Sequence, residues 1–191
     1  MNKKLVAAAA VILFIVIALA AIAGTFLVTA PSTSEITYKV PASAVKASLG
    51  KTATSKTISL RLNSITDPSN PATRAAWSNL FQNKTHLYNM SLTPSSPDER
   101  YLVANITVKN TQPTRVHFSY AALVLLTSNN TAYYSNYAVC SANCSAQALK
   151  NQTLNAGFSD DMYVLFSVPA GTKAQKIAYT TSNPVIVMSK A

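Results

Sequence analysis

The stretch Tyr101–Lys109, YLVANITVK, decides how the rest of the chain is read. Leu102, Ala104, Ile106 and Val108 fall on one side of an extended backbone and Val103, Asn105 and Thr107 on the other, the period of two expected of a strand with one face in a core. Asn110 and Pro113 follow as turn residues. Toward the N-terminus, TISLRLNSI (Thr57–Ile65) repeats the alternation, with Ile58, Leu60 and Leu62 set against Ser59, Arg61 and Asn63. Toward the C-terminus, HFSYAALVLLT (His117–Thr127) is a longer apolar run, broken by SNNT and resumed at Ala132, Tyr133 and Tyr134, as in a hairpin. DMYVLFSV (Asp161–Val168), KIAYTT (Lys176–Thr181) and PVIVM (Pro184–Met188) close the set. Short strands without interleaved helical patterns predict an all-β fold, an antiparallel β-sandwich.

One helix interrupts them. Asn70 precedes Pro71, which suits a first helical turn, and ATRAAWSNLFQ follows with Ala72, Ala76 and Leu80 near Trp77 and Phe81. This predicts a short helical insertion within residues 66–99. Trp77, the only tryptophan, and Phe81 either staple that helix to a sheet edge or offer a contact to a partner.

The N-terminal part is of a different kind. Residues 5–30 (LVAAAAVILFIVIALAAIAGTFLVTA) carry no charged side chain and follow Lys3 and Lys4. As a helix they would span about 39 Å, enough to cross a hydrocarbon core of about 30 Å. The flanking lysines keep residues 1–4 cytoplasmic and send the remainder outside. A cleaved secretory signal is the competing reading, with small-residue sites ending at Ala23 and Ala30. Either way the expected location is the cell membrane or its outer side. Residues 31–55, rich in Ser, Thr, Ala and Lys, read as a stalk, although Ile36, Tyr38 and Val40 alternate as a first strand would. The sandwich is expected over residues 56–191.

Beyond residue 30 the chain holds 14 Lys and Arg against six Asp and Glu. The basic residues stand singly, without the clustering or aromatic interleaving of a nucleic-acid surface. Anionic surfaces, glycans, an envelope layer or an extracellular protein remain as partners. Cys140 and Cys144, in CSANC, form the only cysteine pair, and outside the cytoplasm such a pair reads as a small-loop disulfide. Six N-glycosylation sequons begin at Asn83, Asn89, Asn105, Asn129, Asn143 and Asn151, an excess of about twofold over chance. Their placement agrees with export into a glycosylating compartment, and the compact chain, the short lysine start and the Ser/Thr/Asn/Tyr-rich exterior suggest an archaeal glycoprotein.

Catalytic constellations are missing from the pattern. His86 and His117, the only histidines, lie near no nucleophile-elbow sequence, and four glycines cannot build a phosphate-cradling loop. Asp98-Glu99 and Asp160-Asp161 could pair around a cation, yet charges at strand edges ordinarily discourage edge pairing. The sequence points to no enzyme, no cofactor and no metal.

Taken in order, Val108-Lys109-Asn110, Leu126 with Tyr133 or Tyr134, Leu154-Asn155-Ala156-Gly157 and Phe166-Ser167-Val168-Pro169 resemble a family of exported domains of unknown function with a telokin-like immunoglobulin fold. The resemblance covers about residues 57–188 and implies an immunoglobulin-like sandwich behind a membrane anchor. It carries no catalytic residues across. Two functions fit: an anchored surface module that binds or supports a partner, and a pilin-like filament subunit with the apolar helix in the fibre core. Lys4 joins Leu5 directly, without the small residue that pilin processing usually needs, so the filament stands second.

Overall fold

A computed structural model describes residues 36–85, 92–94, 96–141 and 151–190. The stub 1–4, the apolar segment 5–30, the first residues of the expected stalk, His86, Asn89, Asn143 and Cys144 lie outside the described residues. Among the described residues no helix is long and apolar enough to cross a membrane.

The alternating stretches become neighbouring inner strands of one sheet. β4 (Ile58–Thr66), β5 (Glu99–Asn110) and β11 (Ser159–Pro169) lie side by side, flanked by β3 (Thr52–Thr54) and β9 (Tyr137–Cys140), in the order β3-β4-β5-β11-β9. The second sheet runs β1 (Ile36–Thr37), β8 (Thr131–Tyr134), β7 (Leu123–Leu126), β12 (Lys176–Tyr179), β13 (Ile186–Ser189), β2 (Val45–Ser48). A two-stranded ribbon, β6 (Val116–Ser119) with β10 (Asn151–Leu154), stands at one end. Inward residues of both sheets, among them Leu60, Leu62, Ile106, Val164, Phe166, Leu123, Leu125, Ile177 and Met188, form one continuous core. The all-β sandwich is therefore as the alternation predicts. One pairing departs from the antiparallel rule, since β2 runs parallel to β13.

Residues 36–55 correct the expected stalk. β1 pairs with β8 at one edge of the six-stranded sheet, β2 pairs with β13 at the other, and residues 38–44 connect the two. Along the way Tyr38, Val40 and Ala44 pack on Val124, Leu126, Ala132, Ala178 and Val187, the outward face of that sheet. The segment is a strap that builds a second small core, and the sandwich begins before residue 56.

The apolar run 117–127 is not one strand. A 3-10 turn at Tyr120–Ala122 separates β6 from β7 and moves the chain from the end ribbon into the six-stranded sheet. Buried Tyr120 fixes the corner: its hydroxyl is 2.5 Å from Gln152 Oε1, and its carbonyl accepts from Ser135 Oγ at 2.6 Å.

Helix α1 (Pro71–Thr85) outlasts the predicted insertion helix by a turn. Asn70 caps it by accepting the Ala72 N–H at 3.0 Å. The helix lies on a sheet face, where the expectation put it at an edge: Phe81 and Leu92 bury against Val103, Val139 and Leu165 on the outer side of the five-stranded sheet. Trp77 completes the contact edge-on to Tyr163, with ring centroids 5.1 Å apart.

Candidate ligand-binding groove

Three places in the described residues bring chemically useful groups together. The first is a groove of about 630 Å³ beside the β6–β10 ribbon at the end of the sandwich, a volume in the range of small-ligand sites. Thr57 and Ile58 form one side, His117, Phe118 and Ser119 of β6 another, with Gln152, Thr153, Tyr179, Thr181 and Ser182 completing the lining. Among the described residues no Lys, Arg, Asp or Glu lines it. Its back is rigid, because Phe118 and Tyr179 stack at 4.7 Å and the Ser119 N–H donates to Tyr179 Oη at 3.1 Å. Ser182 Oγ ties the following loop, donating to the Tyr179 carbonyl at 3.0 Å and accepting the Ile186 N–H at 3.1 Å. His117 is exposed, and its Nδ1 sits 3.4 Å from Thr153 Oγ1. Such a surface offers hydrogen bonds from neutral groups over an aromatic floor; it holds no carboxylate that would orient His117 as a base.

The second place is a polar network on the outer side of the five-stranded sheet. Asn63 lies on the outward phase of β4, at a register shift between Leu62 and Ser64 against β5. Asn63 Nδ2 then donates to Asn105 Oδ1 at 3.1 Å and Thr107 Oγ1 at 2.9 Å, while Thr107 Oγ1 donates to Asp161 Oδ1 at 2.6 Å. Arg61 closes the group through Asn63 Oδ1 at 3.0 Å. Alternation puts Arg61, Asn63, Asn105 and Thr107 on the outward phases of β4 and β5, which is the sequence signal for it. The third is a smaller hollow of about 420 Å³ between the 127–131 turn and Gly171–Lys173.

The predicted site residues fare unevenly. Phe81 is fully buried and offers nothing to a partner; this corrects its reading as a possible contact, because the helix needs it as its anchor. Trp77 is half-buried. Asn83 and Asn129 are exposed, on α1 and in the β7–β8 turn, whereas Asn105 is half-buried in the network above. Asn151 begins β10. Cys140 is buried on β9, and among the described residues no cysteine is free. Asp98-Glu99 and Asp160-Asp161 lie at opposite ends of the β5–β11 ladder, where Glu99 faces Pro169 and Asp160 faces Val108, so they cannot share a cation. Among the described residues no group of three or more His, Cys, Asp or Glu could hold a metal ion.

The fold is thus an all-β sandwich carrying a strap on one outer face and a helix on the other. The chain belongs to the family described as Domain of unknown function (DUF4352), which matches residues 47–188. No curated protein matches it in sequence. Among solved structures it is similar to an uncharacterized β-sandwich protein of Clostridium difficile, at 12% identity over 81% of this chain and 99% of that one, TM-score 0.47. It is also similar to the yjhA protein of Bacillus subtilis, at 13% identity over 76% and 99%, TM-score 0.46. A functionally unknown protein of Listeria monocytogenes is 13% identical over 82% and 90%, TM-score 0.42.

Proposed function

We propose that this chain is a membrane-tethered binding module, with residues 5–30 as its anchor and the sandwich outside the cell, engaging a partner through the groove beside β6. The observation that carries the reading is the groove itself: about 630 Å³, lined among the described residues by polar side chains without a carboxylate or a Lys or Arg, over a stacked aromatic floor. Binding needs only such complementarity. The apolar run flanked by Lys3 and Lys4 supports the tether and its orientation.

Export has further consequences. The sandwich is of the telokin-like immunoglobulin type, supported by two sheets packed through alternating inward residues. Cys140 joins Cys144, the only other cysteine, in a disulfide that pins the 140–144 loop. Among the sequon asparagines whose exposure is described, Asn83 and Asn129 are the exposed ones and so are open to a glycosylating enzyme.

The test uses intact cells. A membrane-impermeant amine reagent should label Lys173 and Lys109, both exposed, and peptide mapping of the membrane fraction should recover a chain still beginning at Met1. Failure to label would refute export; a start at Gly24 or Pro31 would replace the tether with a secreted domain, and recovery in filaments would replace the module with a pilin-like subunit.

A further inference from the structure

Resting on the reading of the groove as the binding site, we infer that its ligand is an extended, uncharged segment of a partner polypeptide, which adds as a strand along the open edge of β6.

The direction of the β6 backbone carries the argument. In an antiparallel pair each residue points its N–H and C=O together, alternately toward and away from its neighbour. β6 pairs with β10 in the register Phe118↔Gln152, His117↔Thr153. The Ser119 N–H is turned away from β10, since it donates to Tyr179 Oη at 3.1 Å. By alternation Phe118 faces β10, and His117 presents both its N–H and its C=O on the side of Ser119, into the groove. Among the described residues the ribbon has only these two strands, so no strand stands on that side.

The vacancy has a cause. β6 continues the course of β7 beyond the 3-10 turn, and the neighbour of β7 in the sheet is β12. β12 ends at Tyr179, the Thr180 N–H closes on the Ala122 carbonyl at 3.0 Å, and the chain turns off through Ser182. The sheet thus loses a strand where β6 would need one, and the groove occupies that strand's position.

Exposed edges are ordinarily blunted by charge, proline or a covering loop. Among the described residues no charged side chain lines the groove beside it. Strand addition takes affinity from main-chain bonds and selectivity from side-chain pockets. The hydroxyls of Thr57, Thr181 and Ser182 and the Phe118–Tyr179 floor suit small or hydroxylated side chains, and a charged residue would lose hydration without finding a counter-ion.

The experiment uses the full chain in lipid nanodiscs and a displayed library of short random peptides. Expected are uncharged binders that slow hydrogen exchange at the His117 amide. N-methylating the peptide amide that faces β6 should lower affinity by about tenfold, while N-methylating the next amide along should not. His117→Pro, which removes an N–H that β10 does not use, should lower affinity similarly; if that variant fails to fold, the N-methyl comparison decides alone. Recovering no peptide, or equal tolerance of N-methylation at both positions, would overturn the inference. Groove occupancy by a neutral oligosaccharide in place of peptides would overturn it too, yet leave the groove as the binding site. A chain found inside the cytoplasm would remove the tethered reading and leave the peptide result standing.

Discussion

Replacing Asn110 by alanine should unfasten one end of the sandwich. Asn110 is 2% exposed, and its Nδ2 donates to the carbonyls of Thr114, Leu154 and Asn155 at 2.8, 3.1 and 2.9 Å, while Oδ1 accepts the Gln112 N–H at 2.8 Å. The side chain therefore holds the end of β5, the approach to β6 and the end of β10 to one another. Two amide hydrogens serve three carbonyls, so about three net bonds are lost in the alanine variant. At about 1 kcal/mol each, the variant should be about 3 kcal/mol less stable. The assay is urea unfolding of wild type and variant, read as a shift in midpoint at constant slope. Asn110→Asp sharpens the test, because a carboxylate oxygen then meets the three carbonyls. That carboxyl is held protonated by the fold, with a pKa raised above its unfolded value of about 4. The folded state then binds the proton more tightly, so the variant's stability is greatest in acid and falls as pH rises through the raised value. A loss below about 1 kcal/mol for alanine, or an aspartate variant no worse than alanine with no recovery in acid, would refute this account of Asn110.

Phe81→Ala should cost about 3 to 4 kcal/mol, because a fully buried ring leaves a cavity against Val103, Val139 and Leu165. Fluorescence of Trp77 should shift under milder denaturant than the far-ultraviolet signal of the strands, and coincident transitions would contradict a locally docked helix. Burial, reinforced by the nearby Asp160 charge, pushes the Tyr120 phenol well above the ordinary tyrosine value of 10.0. The neutral form is the one the fold holds, so its contribution is complete below about pH 10 and is lost as pH rises toward the folded value; Tyr120→Phe should flatten the alkaline fall of the melting midpoint, and an unchanged fall would assign it elsewhere. Gly157 has φ +73° with open space where a Cβ would sit, so Gly157→Ala should cost about 1 kcal/mol of backbone strain alone, measured by urea midpoint.

The residues that carried the family resemblance explain why it was informative. Asn110, from Val108-Lys109-Asn110, donates to the carbonyls of Leu154 and Asn155, from Leu154-Asn155-Ala156-Gly157. Two short pieces separated by more than forty residues are thus one junction in space, with Gly157 supplying the positive φ of the turn and the Asn110 N–H reaching the Phe158 carbonyl at 3.0 Å. Neither piece alone discloses that role, since a turn asparagine and a turn glycine are common in any β protein. The groove was less legible still. It depends on where β12 stops and on which way the amides of β6 point, and both are consequences of pairing between distant strands that alternation within one strand cannot report.

The misreading of the supposed stalk has a cause in another strand. Residues 36–55 read as a stalk because Ser, Thr, Ala and Lys dominate them, and LVLL (Leu123–Leu126), read as part of a hairpin, gives no sign of which face is covered by what because it lacks alternation. All four residues of LVLL are buried: Leu123 and Leu125 face the main core, Val124 and Leu126 face Tyr38, Val40 and Ala44 of the strap. A strand that is apolar on both sides needs a cover for each. One sheet can supply only one of them, so the run itself demands a second covering element. With α1 committed to the other sheet through Trp77 and Phe81, the alternating Tyr38 and Val40 help provide it. Read together, the uniform strand and the supposed linker predict each other, and only reading them separately hid the strap.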